Sequence, residues 1–234
     1  NETLPKGRKQ KTTGLYDRFV NQGAVMGDSF GLENVLWFAN NKEDAHEEPT
    51  IKRSRSHDYV SREVINVREN VGLIEVANFS KHEFKGTDAR KFLDHVMAGK
   101  LPKPGRISLS PMLSYRGKLC GDLTVACFDE NEFMVFGSGA AQEMHRRWFE
   151  SHLDKFDVNY KNRSDEFHGI SIAGPNSRKV LEKIVRDDVS NEKFKFRDSR
   201  RMFVGGVPAI INRISFTGEL GYEIYVAPHY QIKL

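Results

Sequence analysis

Between Ile107 and Gly137 the chain alternates apolar runs with very short breaks. A strand-like run from Ile107 meets Arg116-Gly117, a second spans Leu119 to Phe128, and Asp129 to Asn131 separate it from a third over Glu132 to Phe136. Breaks this short leave no room for a crossover helix, so the three runs are expected to pair antiparallel. Gly205-Gly206 between the apolar runs Met202–Val204 and Ala209–Phe216 is a second hairpin signal. A chain built on such hairpins, with helical segments between them, points to an α+β fold of antiparallel sheets with flanking helices and argues against a βαβ array.

The helical segments are read from periodicity. Leu15 to Val25 reads as a short amphipathic helix followed by a loop punctuated by Gly27 and Gly31. Residues Asn40 to His57 are polar and charged, an exposed excursion. Val60, Val64, Val67 and Val71 repeat at helical spacing before Gly72. Leu73–Val76 and His82–Phe84 read as strands. Thr87 is placed to cap a helix whose apolar face is Phe92, Leu93 and Val96. Lys100 to Arg106 form a loop, Gln142 to Lys155 a helix, Gly169 to Ala173 a strand, Ser177 to Val185 a helix and Tyr222 to Val226 a strand.

Composition narrows the function classes. The 234 residues include 16 Phe and carry 36 basic against 32 acidic groups, a net charge of +4. That is enough chain for a real core and too mild a charge excess to call for nucleic acid. No apolar run approaches the roughly 18 residues of a membrane span. The basic N-terminal stretch Asn1 to Lys11 lacks the apolar centre of a signal peptide, and with no initiating Met the chain is expected to be a piece of something longer. The basic clusters Lys6–Lys11 and Lys52-Arg-Ser-Arg55 read as solvated linker or as a groove for a polyanion such as a glutamate tail. Cys120 and Cys127 are not expected to bridge, which fits a reducing compartment. The eight His show no ligand spacing, so no metal is expected.

Two segments carry candidate chemistry. The run Arg213-Ile-Ser-Phe-Thr-Gly-Glu-Leu-Gly-Tyr-Glu223 sets Glu219 and Glu223 around two glycines in an apolar segment. It reads either as a turn with solvated glutamates or as a carboxylate that grips two parallel N–H donors of an amidine-like ring edge. In Leu119-Cys-Gly-Asp122-Leu-Thr-Val-Ala126, Asp122 interrupts an apolar strand and Thr124 projects from the same face. It is either an aspartate at a strand edge or a carboxylate aimed at an amine or iminium, where it stabilises positive charge and steers a proton.

These strings, in order, resemble a known family. Gly14-Leu-Tyr-Asp-Arg-Phe, Gly23-Ala-Val-Met-Gly27, Val71-Gly-Leu-Ile-Glu-Val, Phe92-Leu-Asp, Leu101-Pro-Lys-Pro-Gly105, Met112-Leu, Asp122-Leu-Thr-Val, Gly174-Pro, Phe194-Lys-Phe and Arg213 to Glu223 are similar to the folate-binding region of the glycine-cleavage T-protein (aminomethyltransferase) family. Within it, the folate-binding half of dimethylglycine and sarcosine dehydrogenases is the nearer pattern. The resemblance spans almost all of residues 14–234.

It implies an aminomethyltransferase folate-binding fold with the C-terminal barrel domain missing. Residues 1–77 plus 163–234 would form a first, discontinuous subdomain and 78–162 an inserted second one carrying Asp122. Tetrahydrofolate is the implied cofactor, with FAD only in a domain this chain lacks, supplied in cis or in trans. Asp122 is the implied catalytic residue beside folate N5. Glu223 is the implied pterin anchor, with Thr124, Phe216, Gly137, Ser138, Met112 and Arg213 at the folate. Glycine at 137 would let backbone approach the ring. Phe216 stands where the family usually has Tyr, which keeps stacking and removes a phenol hydrogen bond.

The implied function is the one-carbon-transferring portion of a flavin-dependent dimethylglycine or sarcosine dehydrogenase, acting on a folate and a methylated glycine without nucleic acid or membrane partners. A bacterial cytoplasm or the mitochondrial matrix would house it. A stand-alone T-protein-like aminomethyltransferase or demethylase and a non-catalytic folate-binding module are the alternatives.

Overall fold

The computed structural model describes residues 6–47 and 49–234. Residues 1–5 of the basic N-terminal stretch and residue 48 of the polar excursion lie outside the described residues. In chain order the elements are α1 (Tyr16–Asn21), β1 (Ala24–Ser29), β2 (Leu32–Phe38), α2 (His57–Glu69), β3 (Gly72–Glu75), β4 (Ser80–Lys85), α3 (Ala89–Val96), β5 (Arg106–Leu113), β6 (Leu119–Asp129), β7 (Glu132–Gly137), α4 (Gln142–Glu150), β8 (Asn159–Asn162), β9 (His168–Ala173), α5 (Ser177–Leu181), β10 (Ser199–Val204), β11 (Val207–Asn212) and β12 (Gly221–Val226).

The strands form two five-stranded sheets and one hairpin, antiparallel throughout. One sheet runs β10-β11-β12-β9-β3 and the other β5-β6-β7-β4-β8, while β1 pairs only with β2. Neither large sheet closes into a barrel. The fold is the antiparallel α+β arrangement expected from the hairpin pattern.

Strand alternation sorts the side chains into layers. On β6, Leu123, Val125 and Cys127 face one way, into a core shared with Phe92 and Leu93 of α3 and Phe149 of α4. Ala126 faces the other way, and with Ile107, Met134 and Phe136 it meets Ile210 and Tyr225 of the second sheet. The rings of Phe136 and Tyr225 stack there, 4.6 Å apart at 30°. The far face of the second sheet has its own core, in which Tyr222 and Ile224 join Leu181 and Phe194. The two sheets therefore pack face to face, each backed by helix or loop.

Several local expectations change. The helix read over Leu15–Val25 ends at Asn21, and Ala24–Ser29 is a strand. A side chain at Gly23 would meet the Ala39 carbonyl oxygen at 2.3 Å, so the chain turns there. Phe30 and Gly31, both at positive φ (54° and 86°), close the β1–β2 hairpin in the manner of a type I′ turn. The hairpin was hidden because Phe30 is not a turn-type residue. Thr87 does not cap α3: its hydroxyl donates to Asp157 at 2.7 Å, and the helix starts two residues later. Strand β8 lies in a polar run without periodicity, and it pairs only at an edge. Both cysteines sit on β6 and are free.

Candidate functional site

Where the inter-sheet core gives out beyond the Phe136–Tyr225 stack, a cavity of ≈ 850 Å³ opens. That size suits a small organic ligand. Its walls come from both large sheets, from the β1–β2 hairpin through Ser29, and from the loops carrying Asn78, Phe79 and Phe196.

Six of the eight expected site residues share this cavity: Asp122, Thr124, Gly137, Ser138, Phe216 and Glu223. Asp122 and Thr124 lie on the inter-sheet face of β6, one register step apart on the same side. Asp122 is exposed to the cavity and has no hydrogen bond or ion pair among the described residues. Its position opposite Pro111 of the edge strand β5 keeps it out of the packed core. Phe216 stands 93% exposed at the mouth.

Glu223 is the buried counterpart. It sits mid-strand on β12, flanked by Asn212 and Ser171. Tyr225, two residues on and on the same face, donates its hydroxyl to Glu223 Oε2 at 2.8 Å. Burial raises the Glu223 carboxyl above the usual carboxylate range, while the Tyr225 hydrogen bond and the charge of Lys81 pull it back. Burial and the adjacent carboxylate push the Tyr225 phenol well up. Glu219 does not line the cavity. Its carboxylate accepts from Thr217 Oγ1 and its carbonyl from Ser215 Oγ, so it is spent inside the turn.

The other two expected residues are elsewhere. Met112 is fully buried in the core under α3, on the helix side of the sheet. Arg213 turns its guanidinium away, donating to the Phe194 carbonyl and to Asn191 Oδ1 at 2.7 Å. It braces the loop that delivers Phe196 and Arg197 to the cavity. Gly137 lines the cavity, but the direction its side chain would take is filled by Leu123 Cδ2 at 2.5 Å, with His145 Nδ1 and Ser80 Oγ at 3.1 Å. Packing behind the wall, not approach of the ligand, is what crowds a side chain at this position. The basic runs Lys6–Lys11 and Lys52–Arg55 do not reach the cavity; Arg8 pairs with Glu33, Lys11 with Asp165 and Arg55 with Asp44.

Sequence reasoning missed Arg197, Tyr225 and Lys81. Lys81 of β4 is fully buried between the sheets, its ammonium donating to Ala77 O at 2.8 Å and Ser164 O at 3.4 Å and lying 5.8 Å from the Tyr225 ring centre. Burial lowers it to about 7, against the raising charges of Asp165, Glu75 and Glu223. The strand Ser80–Lys85 is polar throughout apart from Phe84, so the sequence carried no signal that Lys81 would be buried. On the other face of β4, His82 is held neutral, lowered to about 3 by burial and by His145. Among the described residues no His, Cys, Asp and Glu cluster could hold a metal, and no helix is long and apolar enough to cross a membrane.

This sequence and fold match a known class. The GCVT N-terminal domain description fits residues 15–234, and the chain belongs to that family. It is 35% identical over 219 residues to the mitochondrial dimethylglycine dehydrogenase of Homo sapiens, covering 92% of this chain and 25% of that one. To the aminomethyltransferase of Thermosipho melanesiensis it is 30% identical over 217 residues, covering 92% of this chain and 54% of the relative. The crystal structure of the glycine cleavage system aminomethyltransferase T from Bartonella henselae superposes with a TM-score of 0.78 at 19% identity, over 96% of this chain and 55% of that one, and so shares the fold. The chain is thus an aminomethyltransferase-like domain related to dimethylglycine dehydrogenases. It spans about a quarter of the first relative and about half of the second.

Proposed function

We propose that this chain is the tetrahydrofolate-binding, one-carbon-transferring portion of a flavin-dependent dimethylglycine or sarcosine dehydrogenase, working in a mitochondrial matrix or bacterial cytoplasm. The observation that carries the reading is the pairing of a buried carboxylate, Glu223, with an exposed and unpartnered one, Asp122, in one cavity.

The residues fit a reduced pterin. Glu223 is buried and short of hydrogen bonds: Tyr225 supplies one, and a pterin edge supplies the pair of N–H donors that favours the ionised form. That gain offsets the desolvation which otherwise raises this carboxyl. Apolar side chains of Ile107, Phe136 and Ile214 in the wall suit the flat ring, and Phe216 at the mouth offers a stacking face. When bound, tetrahydrofolate supplies the nucleophilic nitrogens that capture carbon at the formaldehyde level. A flavin module, in cis or in trans, supplies that carbon from the N-methyl group.

Asp122 is then the group at the reacting centre. Its carboxylate stabilises cationic amine or iminium character and holds or takes the proton released from nitrogen. Thr124, on the same face of β6, orients the ligand from the adjacent position. Lack of any internal partner leaves Asp122 free for this role.

Calorimetric titration of tetrahydrofolate into wild type, Glu223→Gln and Asp122→Asn tests the reading. Glu223→Gln should weaken binding by roughly 1–3 kcal/mol, the range for a charge-assisted pair. Asp122→Asn should retain binding and lose formaldehyde capture in the presence of the flavin module. Unchanged behaviour of both variants would sink the assignment.

A further inference from the structure

The cavity wall is electrically lopsided. Its two carboxylates, Asp122 and Glu223, face a single cation among the described lining residues, Arg197. Arg197 is also the one wall residue with a strained backbone, at φ 67°. A long side chain in the left-handed region persists only where its surroundings over-determine it.

Those surroundings are visible. The Arg197 N–H donates to the Arg213 carbonyl at 3.0 Å, and the Arg197 carbonyl accepts from Ile107 N–H at 2.9 Å. The side chain returns to the same residue, with Nε donating to Ile107 O at 3.0 Å. The guanidinium is therefore tethered through Nε. Its two terminal nitrogens have no partner among the described residues, and the residue is exposed at the cavity. Two parallel N–H groups on a held plane match the two oxygens of a carboxylate.

We infer that Arg197 is the carboxylate-recognising end of the cavity. Resting on the folate reading above, this gives the ligand a polarity: hydrogen-bond donors at the buried Glu223, an anion at exposed Arg197. A pterin joined through an arylamide to glutamate has that polarity, and so does an N-methylated amino acid arriving from the mouth. Leucine or glutamine at 197 would leave the pterin pocket intact and remove discrimination for the anion.

The test is calorimetry on the full chain with tetrahydrofolate and with 6-methyltetrahydropterin, which carries the reduced pterin but no carboxylate, using wild type, Arg197→Gln and Arg197→Lys. Arg197→Gln should weaken tetrahydrofolate about fivefold at low salt, the upper range for an exposed pair, and leave 6-methyltetrahydropterin unchanged. The loss should shrink at high salt. Arg197→Lys should recover only part of it, because an ammonium lacks the fork.

A parallel titration of sarcosine into the chain loaded with 6-methyltetrahydropterin distinguishes the two carboxylate sources. Weakening there, with tetrahydrofolate untouched, assigns the arginine to the amine substrate. Equal losses for both pterins with none for sarcosine, or no loss for any ligand, would overturn the assignment. Failure of wild type to bind either pterin would overturn the folate reading and this inference together.

Discussion

Tyr225 donates its hydroxyl to Glu223 Oε2 at 2.8 Å from two residues along the same strand face. Both side chains point between the sheets, and Tyr225 also stacks on Phe136 of the opposite one. The carboxylate is thereby fixed on one oxygen while Oε1 has no partner among the described residues. A rigid phenol locked by packing holds an acceptor for the ligand, and that acceptor is buried enough for each added donor to count.

Tyr225→Phe should expose the value of this bond. Loss of the donor lets burial raise Glu223 further, because the Tyr225 hydrogen bond is the largest influence opposing desolvation. Tetrahydrofolate affinity at pH 7 should fall by about 1 kcal/mol, the usual worth of one hydrogen bond. The deficit relative to wild type should narrow as pH is raised to 9, because a carboxyl pushed up by burial ionises more completely at higher pH in either protein. Calorimetry at the two pH values checks this, and a deficit independent of pH would refute it.

Glu223→Gln should bind worse yet fold better. Burial raises the folded carboxyl above its unfolded value, so its contribution to stability is present below the unfolded pKa and lost as pH rises through the folded one. An amide has no charge to desolvate and still accepts from Tyr225. The variant should gain stability over wild type at pH 8, on the order of 1 kcal/mol, and gain less at pH 4. Urea unfolding at both pH values measures it, and the result would be a stability–function trade-off at one residue.

Lys81 sets a second pH dependence, of the opposite sign. Its folded value is lowered to about 7 from 10.5. Between those values the unfolded chain binds more protons, so unfolding free energy rises with pH across that window, by up to about 1.4 kcal/mol per unit for one proton. Lys81→Met should flatten the slope between pH 7 and pH 9 in urea melts. The variant orphans the Ala77 carbonyl, so its absolute stability at one pH is less informative than the slope. A slope equal to wild type would show that Lys81 does not titrate there.

The sequence made some of this legible and concealed the rest for physical reasons. The hairpins at Arg116-Gly117 and Gly205-Gly206 were readable because turn chemistry is local. Asp122 and Glu223 stood out as charges inside apolar strands, and strand alternation was enough to put Asp122 and Thr124 on one face. Met112 and Arg213 belong to the matching strings, but Met112 alternates onto the helix side of β5, and Arg213, just past the end of β11, is drawn to the Phe194 carbonyl and Asn191. Arg197 carried no local signal: its importance comes from a backbone conformation and a tether to Ile107, ninety residues away. The β1–β2 hairpin was hidden by Phe30, a residue that ordinarily avoids positive φ.

Gly139 and Gly137 line the same wall and should respond differently to alanine. A side chain at Gly139 would lie 2.0 Å from the Asn78 carbonyl oxygen, which is backbone and cannot swing aside. The φ of Gly139 is not positive, so local propensity by itself favours alanine in this helical turn; the collision decides the sign. Gly139→Ala should cost roughly 3 kcal/mol and weaken tetrahydrofolate, since the displaced loop carries Asn78 and Phe79 into the cavity. At Gly137 the nearest atom is Leu123 Cδ2, the tip of a side chain with other rotamers, so Gly137→Ala should cost about 1 kcal/mol. Urea unfolding of the two variants gives the comparison. Equal costs would mean that the loop of Asn78 and Phe79 yields as easily as a leucine side chain, and that this wall of the cavity is not held by backbone contact.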